Sequence, residues 1–219
     1  MISVDSHYSM ALALYRKYRP QSFRDITNQN HVKITLEQQV ARGKVAHAYL
    51  FSGPRGTGKT SIARILAKAV NCVNSSQSSV HSSQSAAREN GEPCNECAAC
   101  KTITEGRALD VLEIDAASHT GVDNVRETIV ETAKFAPSSL RYKVFIIDEA
   151  HMLSTSAWNA LLKIMEEPPA HVIFVLATTE AHKVPTTILS RCQRFDFHRI
   201  RLPDLVERLK FIACQEKVR

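Results

Sequence analysis

The chain has 219 residues, of which 44% are apolar and 23% charged, a composition typical of a soluble globular protein. This length suffices for one sizeable α/β core but excludes two complete domains of ordinary size. The 28 basic residues exceed the 22 acidic ones, and the net charge of +6 permits contact with nucleic acid, although basic residues spread over solvated faces are the commoner explanation.

The first ten residues are predicted to form a loose lead-in without secondary structure. They lack the apolar centre of a signal peptide, and no apolar run in the chain is long enough to cross a bilayer. The sequence therefore predicts a cytoplasmic protein with no membrane partner.

Short apolar runs alternate with helical patterns along most of the chain, which predicts a parallel sheet covered on both faces. The predicted helices cover residues 31–40 and 61–71, with a further amphipathic helix after Leu202-Pro203, and the predicted strands cover 48–52, 109–114, 143–148, 171–177 and 193–198. Since such units are joined by right-handed crossovers, the sequence predicts a doubly wound α/β nucleotide-binding fold.

A phosphate-binding loop follows the first predicted strand. The match to G-x-x-x-x-G-K-[ST] consists of Gly53, Pro54, Arg55, Gly56, Thr57, Gly58, Lys59 and Thr60. Lys59 would supply a positive charge to the outer phosphates, Thr60 a hydroxyl to Mg²⁺, and Ser61 lies in the first turn of a helix whose N-terminus would face the phosphates. A chance glycine turn is the alternative, and the flanking strand and helix argue against it.

Four cysteines have spacings that suit a metal better than disulfides. Cys94, Cys97 and Cys100 lie within seven residues, and Cys72 ends the helix after the phosphate loop. Four thiolates would form a closed, structural zinc site, and unliganded reduced cysteines are the alternative.

Residues 74–92, which include seven serines, are predicted to be a disordered surface insert. Cys192 and Cys214 are interpreted as ordinary buried or half-buried thiols.

Acidic residues stand at the end of the predicted strand 143–148. Asp148 is placed to hold Mg²⁺, and Glu149 to orient the water that attacks a γ-phosphate. A solvated strand end is the alternative, which the phosphate loop makes weaker. The next strand ends in Ala177-Thr178-Thr179, where a hydroxyl could contact the water or the γ-phosphate, and Thr179 is favoured over Thr178. The alternative is that these β-branched residues simply finish a strand and have no role in the site.

Together these motifs resemble the ATPase domain of the gamma/tau family of bacterial DNA polymerase III, which are AAA+ clamp loaders. The resemblance covers roughly residues 12–200. It rests on the motifs above together with the segments 15–20, Glu113-Ile114-Asp115-Ala116-Ala117-Ser118, Ile147-Asp148-Glu149-Ala150-His151-Met152-Leu153, Leu161-Leu162-Lys163, Glu166-Glu167-Pro168-Pro169 and Ser190-Arg191-Cys192.

The resemblance implies an AAA+ P-loop NTPase fold with a central five-stranded parallel sheet over residues 11–200, an inserted zinc module over 72–100, and the start of a helical lid over 201–219. It also implies roles for single residues. Arg191 would be an arginine finger that reaches a neighbouring subunit's ATP. Residues flanking the adenine would be Tyr18, Arg19, Pro20 and Ile26.

The implied function is that of a clamp-loader subunit that binds and hydrolyses ATP with Mg²⁺, carries Zn²⁺, and loads a sliding clamp on primed DNA without polymerase chemistry of its own. The implied partners are the other clamp-loader subunits, in a hetero-oligomer, the sliding clamp and primer-template DNA. Because the lid breaks off after one helix and the collar is missing, weaker nucleotide binding and failed assembly are expected.

Two alternatives remain. A branch-migration helicase motor shares the superfamily, and the cysteine motif and Ser190-Arg191-Cys192 argue against it. A truncated remnant that binds nucleotide weakly and serves only as a partner-binding piece is suggested by the abrupt end at Arg219. Intact catalytic residues argue against long decay of the site.

Overall fold

The structure, a computed structural model, describes residues 13–73, 91–118 and 126–217. The predicted lead-in over 1–10 and most of the predicted insert, residues 74–90, lie outside these ranges. The described helices are α1 (Leu14–Lys17), α2 (Asn30–Ala41), α3 (Lys59–Asn71), α4 (Ala98–Thr104), α5 (Thr132–Lys134), α6 (Thr155–Glu166), α7 (Thr186–Leu189) and α8 (Leu202–Gln215). None of them is long and apolar enough to cross a lipid bilayer.

Five strands form one parallel sheet: β1 (Ala48–Ser52), β2 (Val111–Asp115), β3 (Lys143–Asp148), β4 (Val172–Thr178) and β5 (Gln193–Asp196). Their spatial order is β2-β3-β4-β1-β5. Because all strands run the same way, their carboxyl ends meet at one edge of the sheet, where open α/β sheets bind ligands. In the register, Ser52 of β1 lies beside Thr178 of β4.

The core lies on both faces of this sheet, because successive strand residues point to opposite sides. On one face Phe51 packs with Ile62 and Leu66 of α3 and with α2. On the other face Leu50 packs with Trp158 and Leu161 of α6 and with the aromatic residues of β3 and β4. Since β1, β3 and β4 are covered on both sides, their sequences are continuous apolar runs.

The five predicted strands and the three predicted helices lie close to their predicted positions, with small shifts at the ends. Strand β2 starts two residues later than predicted, since Leu109 is 81% exposed and Asp110 turns its carboxylate onto the loop before β3. Strand β5 ends at Asp196 rather than at residue 198, although the Phe197 N–H still donates to the Ser52 carbonyl at 2.6 Å. Helix α3 begins two residues earlier than predicted, at Lys59.

Candidate functional site

The phosphate loop connects β1 to α3 at the carboxyl edge of the sheet. Its conformation depends on Gly53, whose N–H donates to the Thr178 carbonyl at 3.2 Å and where an added Cβ would lie 2.4 Å from the Phe197 carbonyl oxygen. Lys59 is only 7% exposed, and its Nζ donates to the carbonyls of Gly53 at 2.7 Å and Pro54 at 2.8 Å. The ammonium group is thus held inside the loop, where an entering phosphate would meet it.

Burial lowers the pKa of Lys59, and the nearby carboxylates of Glu149 and Asp148 act in the opposite direction. A phosphate dianion in the loop would add a further opposite charge and so favour the ammonium form. The loop is therefore an electrostatically prepared site for an anion.

Two oxygens that suit Mg²⁺ lie side by side, although 88 residues separate them in sequence. The Thr60 hydroxyl donates to Asp148 Oδ2 at 2.6 Å, and the other carboxylate oxygen of Asp148 accepts from the Glu149 N–H at 2.9 Å. Hard cations such as Mg²⁺ prefer hydroxyl and carboxylate oxygens, so this donor set fits the ion. The tertiary structure brings both halves of the predicted magnesium site together.

Glu149 projects from an unusual backbone position at the rim of the sheet. Its φ is +45°, in the left-handed region that side-chain-bearing residues seldom adopt. Its carboxylate accepts from Arg55 Nε at 3.1 Å and from the Thr179 hydroxyl at 3.2 Å. Thr178, by contrast, is buried and uses its hydroxyl oxygen to accept from the Glu180 N–H at 3.0 Å. Of the two threonines, Thr179 is the one whose hydroxyl contacts Glu149.

The base-side segment, residues 18–26, contains the residues predicted to flank adenine. Ile26 is buried in the core beside α2, and its carbonyl accepts from Lys33 Nζ at 2.9 Å. The Tyr18 carbonyl accepts from Arg208 Nη2 of α8 at 2.9 Å. Arg19 and Pro20 are half-buried. A groove of about 400 Å³ between this segment and α8 is lined by Arg24, Asp25, Ile26, Asp204, Arg208 and Phe211, among others.

Arg191 lies between α7 and β5, near the amino end of that strand, whereas the phosphate loop follows the carboxyl end of β1. Its guanidinium donates to Glu166 at 2.9 Å and to the Thr187 carbonyl at 2.7 Å. Among the described hydrogen bonds and ion pairs, none joins it to the phosphate-loop residues or to Asp148. Within the described residues, the structure thus does not bring Arg191 together with the other predicted site residues.

The four predicted metal ligands form one cluster at the C-terminus of α3. The Sγ atoms of Cys72, Cys94, Cys97 and Cys100 all lie within 4.8 Å of one another. The Cys94–Cys100 and Cys97–Cys72 sulfur pairs are both 4.0 Å apart. Tetrahedral zinc with bonds of about 2.3 Å needs sulfurs about 3.8 Å apart, so the cluster fits this ion.

Backbone geometry around the sulfurs also suits thiolate ligands. The N–H groups of Glu96 and Cys97 point at Cys94 Sγ at 3.4 and 3.3 Å, and the Cys94 N–H points at Cys72 Sγ at 3.3 Å. The hydrogen bond with Cys72, together with burial, raises the pKa of the Cys100 thiol. A bound cation would reverse this preference, because metal binding releases thiol protons. Of the other two thiols, Cys192 is half-buried as predicted, but Cys214 is exposed, since α8 packs only lightly on the described chain.

Several polar contacts of the site could not be predicted from motif spacing. Arg55 was predicted only as a loop residue, whereas it pairs with Glu149. Glu92 falls in the predicted insert but is 5% exposed, and Lys68 of α3 is 2% exposed. The only sequence signal for Glu92 is its position two residues before Cys94, and the only one for Lys68 is a charge on an otherwise apolar helix face.

Comparisons with known proteins agree with this geometry. A family model described as DNA polymerase III, delta subunit, matches residues 28–201. The tau subunit of DNA polymerase III from Bacillus subtilis is 56% identical over 206 residues, which are 94% of this chain and 34% of that protein. The gamma subunit from Buchnera aphidicola is 45% identical over 205 residues, which are 94% of this chain and 53% of that protein. The chain thus spans between about a third and a half of these relatives.

Among solved structures, the Thermotoga maritima RuvB Holliday junction branch migration motor matches with a TM-score of 0.60 and 20% identity, covering 91% of this chain and 55% of that one. At this identity the match shows the fold alone, and it agrees with the predicted α/β fold with a five-stranded parallel sheet. The chain belongs to the DNA polymerase III delta-subunit family, and over most of its length it is similar to the gamma and tau subunits of that polymerase.

Proposed function

We propose that this chain is the ATP-binding and ATP-hydrolysing part of a clamp-loader subunit of a bacterial DNA polymerase III holoenzyme. In this role it uses ATP to place a sliding clamp on primed DNA in the cytoplasm, and it performs no nucleotide polymerisation itself. The observation that carries the proposal is the 2.6 Å hydrogen bond between the Thr60 hydroxyl and Asp148. It joins the phosphate loop to the acidic strand end in the arrangement that Mg²⁺-dependent NTP hydrolysis requires.

Each residue of the site has one task in this proposal. The backbone of residues 53–61, with Lys59, binds the phosphates, and Thr60 and Asp148 hold Mg²⁺. Mg²⁺ held by these two residues would offset the negative charge that develops on the phosphate oxygens. Glu149 orients the attacking water, and Thr179, which donates to Glu149, helps to fix that carboxylate. The residues of the base-side segment, above all Tyr18 to Pro20 and Ile26, flank the adenine.

The arginine finger and the partners belong to the assembled complex. Arg191 is tethered to Glu166 at the surface, which supports a role toward the ATP of an adjacent subunit rather than its own. Such a finger stabilises transition-state charge, so hydrolysis depends on assembly. The partners are the other clamp-loader subunits, the sliding clamp and, through the complex, primer-template DNA.

The cysteine cluster is proposed to bind a structural Zn²⁺ through Cys72, Cys94, Cys97 and Cys100. Four sulfurs within 4.8 Å of one another support this assignment. Bound zinc would cross-link the end of α3 to α4 and leave no coordination position open for chemistry.

The first test measures the equilibrium binding of a fluorescent ATP analogue with Mg²⁺ to the chain, to Lys59→Ala and to Lys44→Ala. Lys44 is an exposed lysine outside the loop, so its replacement controls for the loss of one positive charge. We expect Lys59→Ala to bind at least tenfold more weakly and Lys44→Ala to bind like the unsubstituted protein.

ATP turnover is then measured with and without the other clamp-loader subunits. Turnover that rises in the mixture, and falls again with Arg191→Ala while nucleotide binding persists, supports the motor function and shows that the chain assembles despite the expected failure. If the folded protein with all residues intact does not bind the nucleotide, the proposal is wrong and the remnant alternative gains support.

A further inference from the structure

We propose that Glu92 and Lys68 are positioning residues that couple metal occupancy of the cysteine cluster to the affinity of the nucleotide site, acting through the base-side segment. This inference rests on the proposed ATP-binding function and adds to it a regulatory link. The metal held by the cluster would thereby set the position of Gln21, Phe23 and Arg24, which lie in the chain between the residues proposed to flank the adenine.

Glu92 provides the first connection. Its carboxylate accepts from the Phe23 N–H and from the Arg24 N–H, both at 2.8 Å, and Arg24 Nε lies 3.7 Å away. These two N–H groups open the short helical turn Phe23–Asp25, where a negative charge is favoured. Because Phe23 is fully buried, removing this acceptor would leave its N–H without a partner away from water.

The chain just before the cluster is held in place at Gly91. A Cβ added at Gly91 would lie 2.2 Å from the Glu37 carbonyl oxygen and 2.9 Å from the Ala41 nitrogen, so the backbone at Gly91 rests directly on α2. Cys94 follows only three residues later. Because the chain cannot give way at Gly91, a displacement of Cys94 is taken up by residues 92 and 93 and so reaches Glu92.

Lys68 provides the second connection, from the helix that begins at the phosphate loop. Its Nζ donates to the Gln21 carbonyl at 2.7 Å, to Gln21 Oε1 at 2.7 Å and to Asn95 Oδ1 at 2.8 Å. Asn95 lies between Cys94 and Cys97 in the metal knuckle, the segment 94–100 that carries three of the four cysteines, and its φ is +60°. All three protons of the buried ammonium are thus shared between the base-side segment and the metal knuckle.

The consequence is a thermodynamic linkage between two sites. A metal ion orders residues 94–100, which fixes Asn95 and Glu92, which in turn fix Gln21, Phe23 and Arg24. Without the ion the knuckle loses its main source of local folding free energy, and the base-side segment loses two ordered partners. Couplings of this kind commonly change affinity by 5- to 150-fold, and the effect must be reciprocal.

The test compares the Kd of a fluorescent ATP analogue, with excess Mg²⁺, for zinc-loaded protein and for protein stripped of zinc by a chelator that is then removed. We expect stripping to weaken binding by about fivefold or more. In Glu92→Gln, an amide donor faces one of the two N–H groups, so we expect the ratio of the two Kd values to fall toward one. Lys68→Met, which keeps the length of the side chain, should do the same.

Metal binding itself is followed separately, by the thiolate-to-Co²⁺ charge-transfer absorption of cobalt-loaded protein, which both variants should retain. The control is Glu105→Gln, because Glu105 is an exposed acidic residue just after α4 whose carboxylate, among the described residues, pairs with Arg107. In this variant, the ratio of the Kd for stripped protein to the Kd for zinc-loaded protein should equal that of the unsubstituted protein.

A second readout works even if the stripped protein unfolds. Bound nucleotide should slow the transfer of zinc from the folded, zinc-loaded protein to an excess of a chromophoric chelator, and Glu92→Gln should abolish this slowing. Equal transfer rates with and without nucleotide, or a Glu92→Gln variant that keeps the full effect, would overturn the inference. Failure of the zinc-loaded protein to bind nucleotide at all would instead overturn the proposed function.

Discussion

At the scale of single residues, the site depends on backbone positions that few side chains tolerate. Gly53 adopts φ +145° against Phe197, and Glu149 adopts φ +45° at the point where its carboxylate leaves β3. At a residue with a side chain, such as Glu149, backbone strain of this kind costs about 1–3 kcal/mol and persists only where surrounding contacts hold it. Here Arg55 and Thr179 hold the Glu149 side chain, and the Glu149 carbonyl accepts from the Met152 N–H at 2.8 Å.

Gly53→Ala should destabilise the fold and weaken nucleotide binding together. The new Cβ would meet the Phe197 carbonyl oxygen at 2.4 Å, and overpacking of this kind costs about 1–3 kcal/mol. The loop would also shift the Gly53 carbonyl that Lys59 contacts. Urea unfolding and the Kd of an ATP analogue measure the two effects.

Gly43→Ala is the matched control, since Gly43 has φ +65° but no atom within 4 Å of an added Cβ. This variant should lose only the stability that a side chain at positive φ costs, and its nucleotide affinity should be unchanged. Equal effects of the two substitutions on nucleotide binding would show that the close approach at Gly53 is unimportant.

At the scale of elements, buried polar side chains fix loops that the sheet leaves open. Asp110, just before β2, accepts from the N–H groups of Ser138, Ser139 and Leu140 at 2.8, 2.8 and 3.0 Å. Burial of the carboxyl group acts to raise its pKa, but these hydrogen bonds outweigh it and hold the pKa of Asp110 below the ordinary value. The loop that leads into β3, and so toward Asp148, is thus anchored by one carboxylate.

The stability supplied by Asp110 should be lost in acid. Because its pKa is lower in the folded protein than in the unfolded chain, this contribution is present above the unfolded value of about 3.9 and disappears as the pH falls through the folded value. Asp110→Asn should lower the free energy of unfolding at pH 7 by about 1–3 kcal/mol and flatten its decline toward pH 3. Urea unfolding across this range measures both.

Asp204→Asn serves as the comparison, since Asp204 makes a surface ion pair with Arg201. Such pairs contribute about 0–1 kcal/mol, so its effect at pH 7 should be small. An Asp110→Asn variant as stable as Asp204→Asn would contradict the anchoring role.

At the scale of the whole molecule, the cysteine cluster joins parts that the sheet does not connect. Cys72 ends α3, Cys97 and Cys100 begin α4, and Glu92 reaches the base-side segment. A metal ion bound there would cross-link these parts outside the two apolar layers of the core. Its removal should therefore affect the stability of the whole described unit as well as that of the knuckle.

Cys100→Ser should lower the melting temperature and abolish stoichiometric zinc binding. One kcal/mol corresponds to about 2–4 °C for a protein of this size, and we expect the loss of one ligand to lower the melting temperature by about 5–10 °C. Cys214→Ser is the control, because this exposed cysteine lies on α8 outside the cluster. Calorimetry and a chelator assay for zinc provide the readouts. A Cys100→Ser variant that melts with the control and still binds zinc would contradict the assignment.

The sequence by itself determined the strands and the main helices of the fold, and it predicted the candidate residues of the phosphate loop and the acidic strand end. Strands β1 and β3 were predicted with their observed bounds, because a strand buried on both faces must be a continuous apolar run and glycines and charged residues mark its ends. Lys59, Thr60, Asp148 and Glu149 could be named because the loop and the acidic strand end are local patterns. The spacing of the motifs does not fix the order in which the strands pair. That order, and with it the contact between Thr60 and Asp148, follows from the topology of the sheet.

The tertiary structure decided what local patterns do not encode. That Arg55 pairs with Glu149, that Arg191 rests on Glu166, and that Glu92 and Lys68 connect the cysteine cluster to the base-side segment all depend on residues distant in sequence. A buried charged side chain needs hydrogen-bonding partners, but the sequence around it does not show which backbone groups will supply them. Only the packing of α2, α3 and the knuckle against one another selects those partners, because it alone fixes which donors and acceptors are withdrawn from water together.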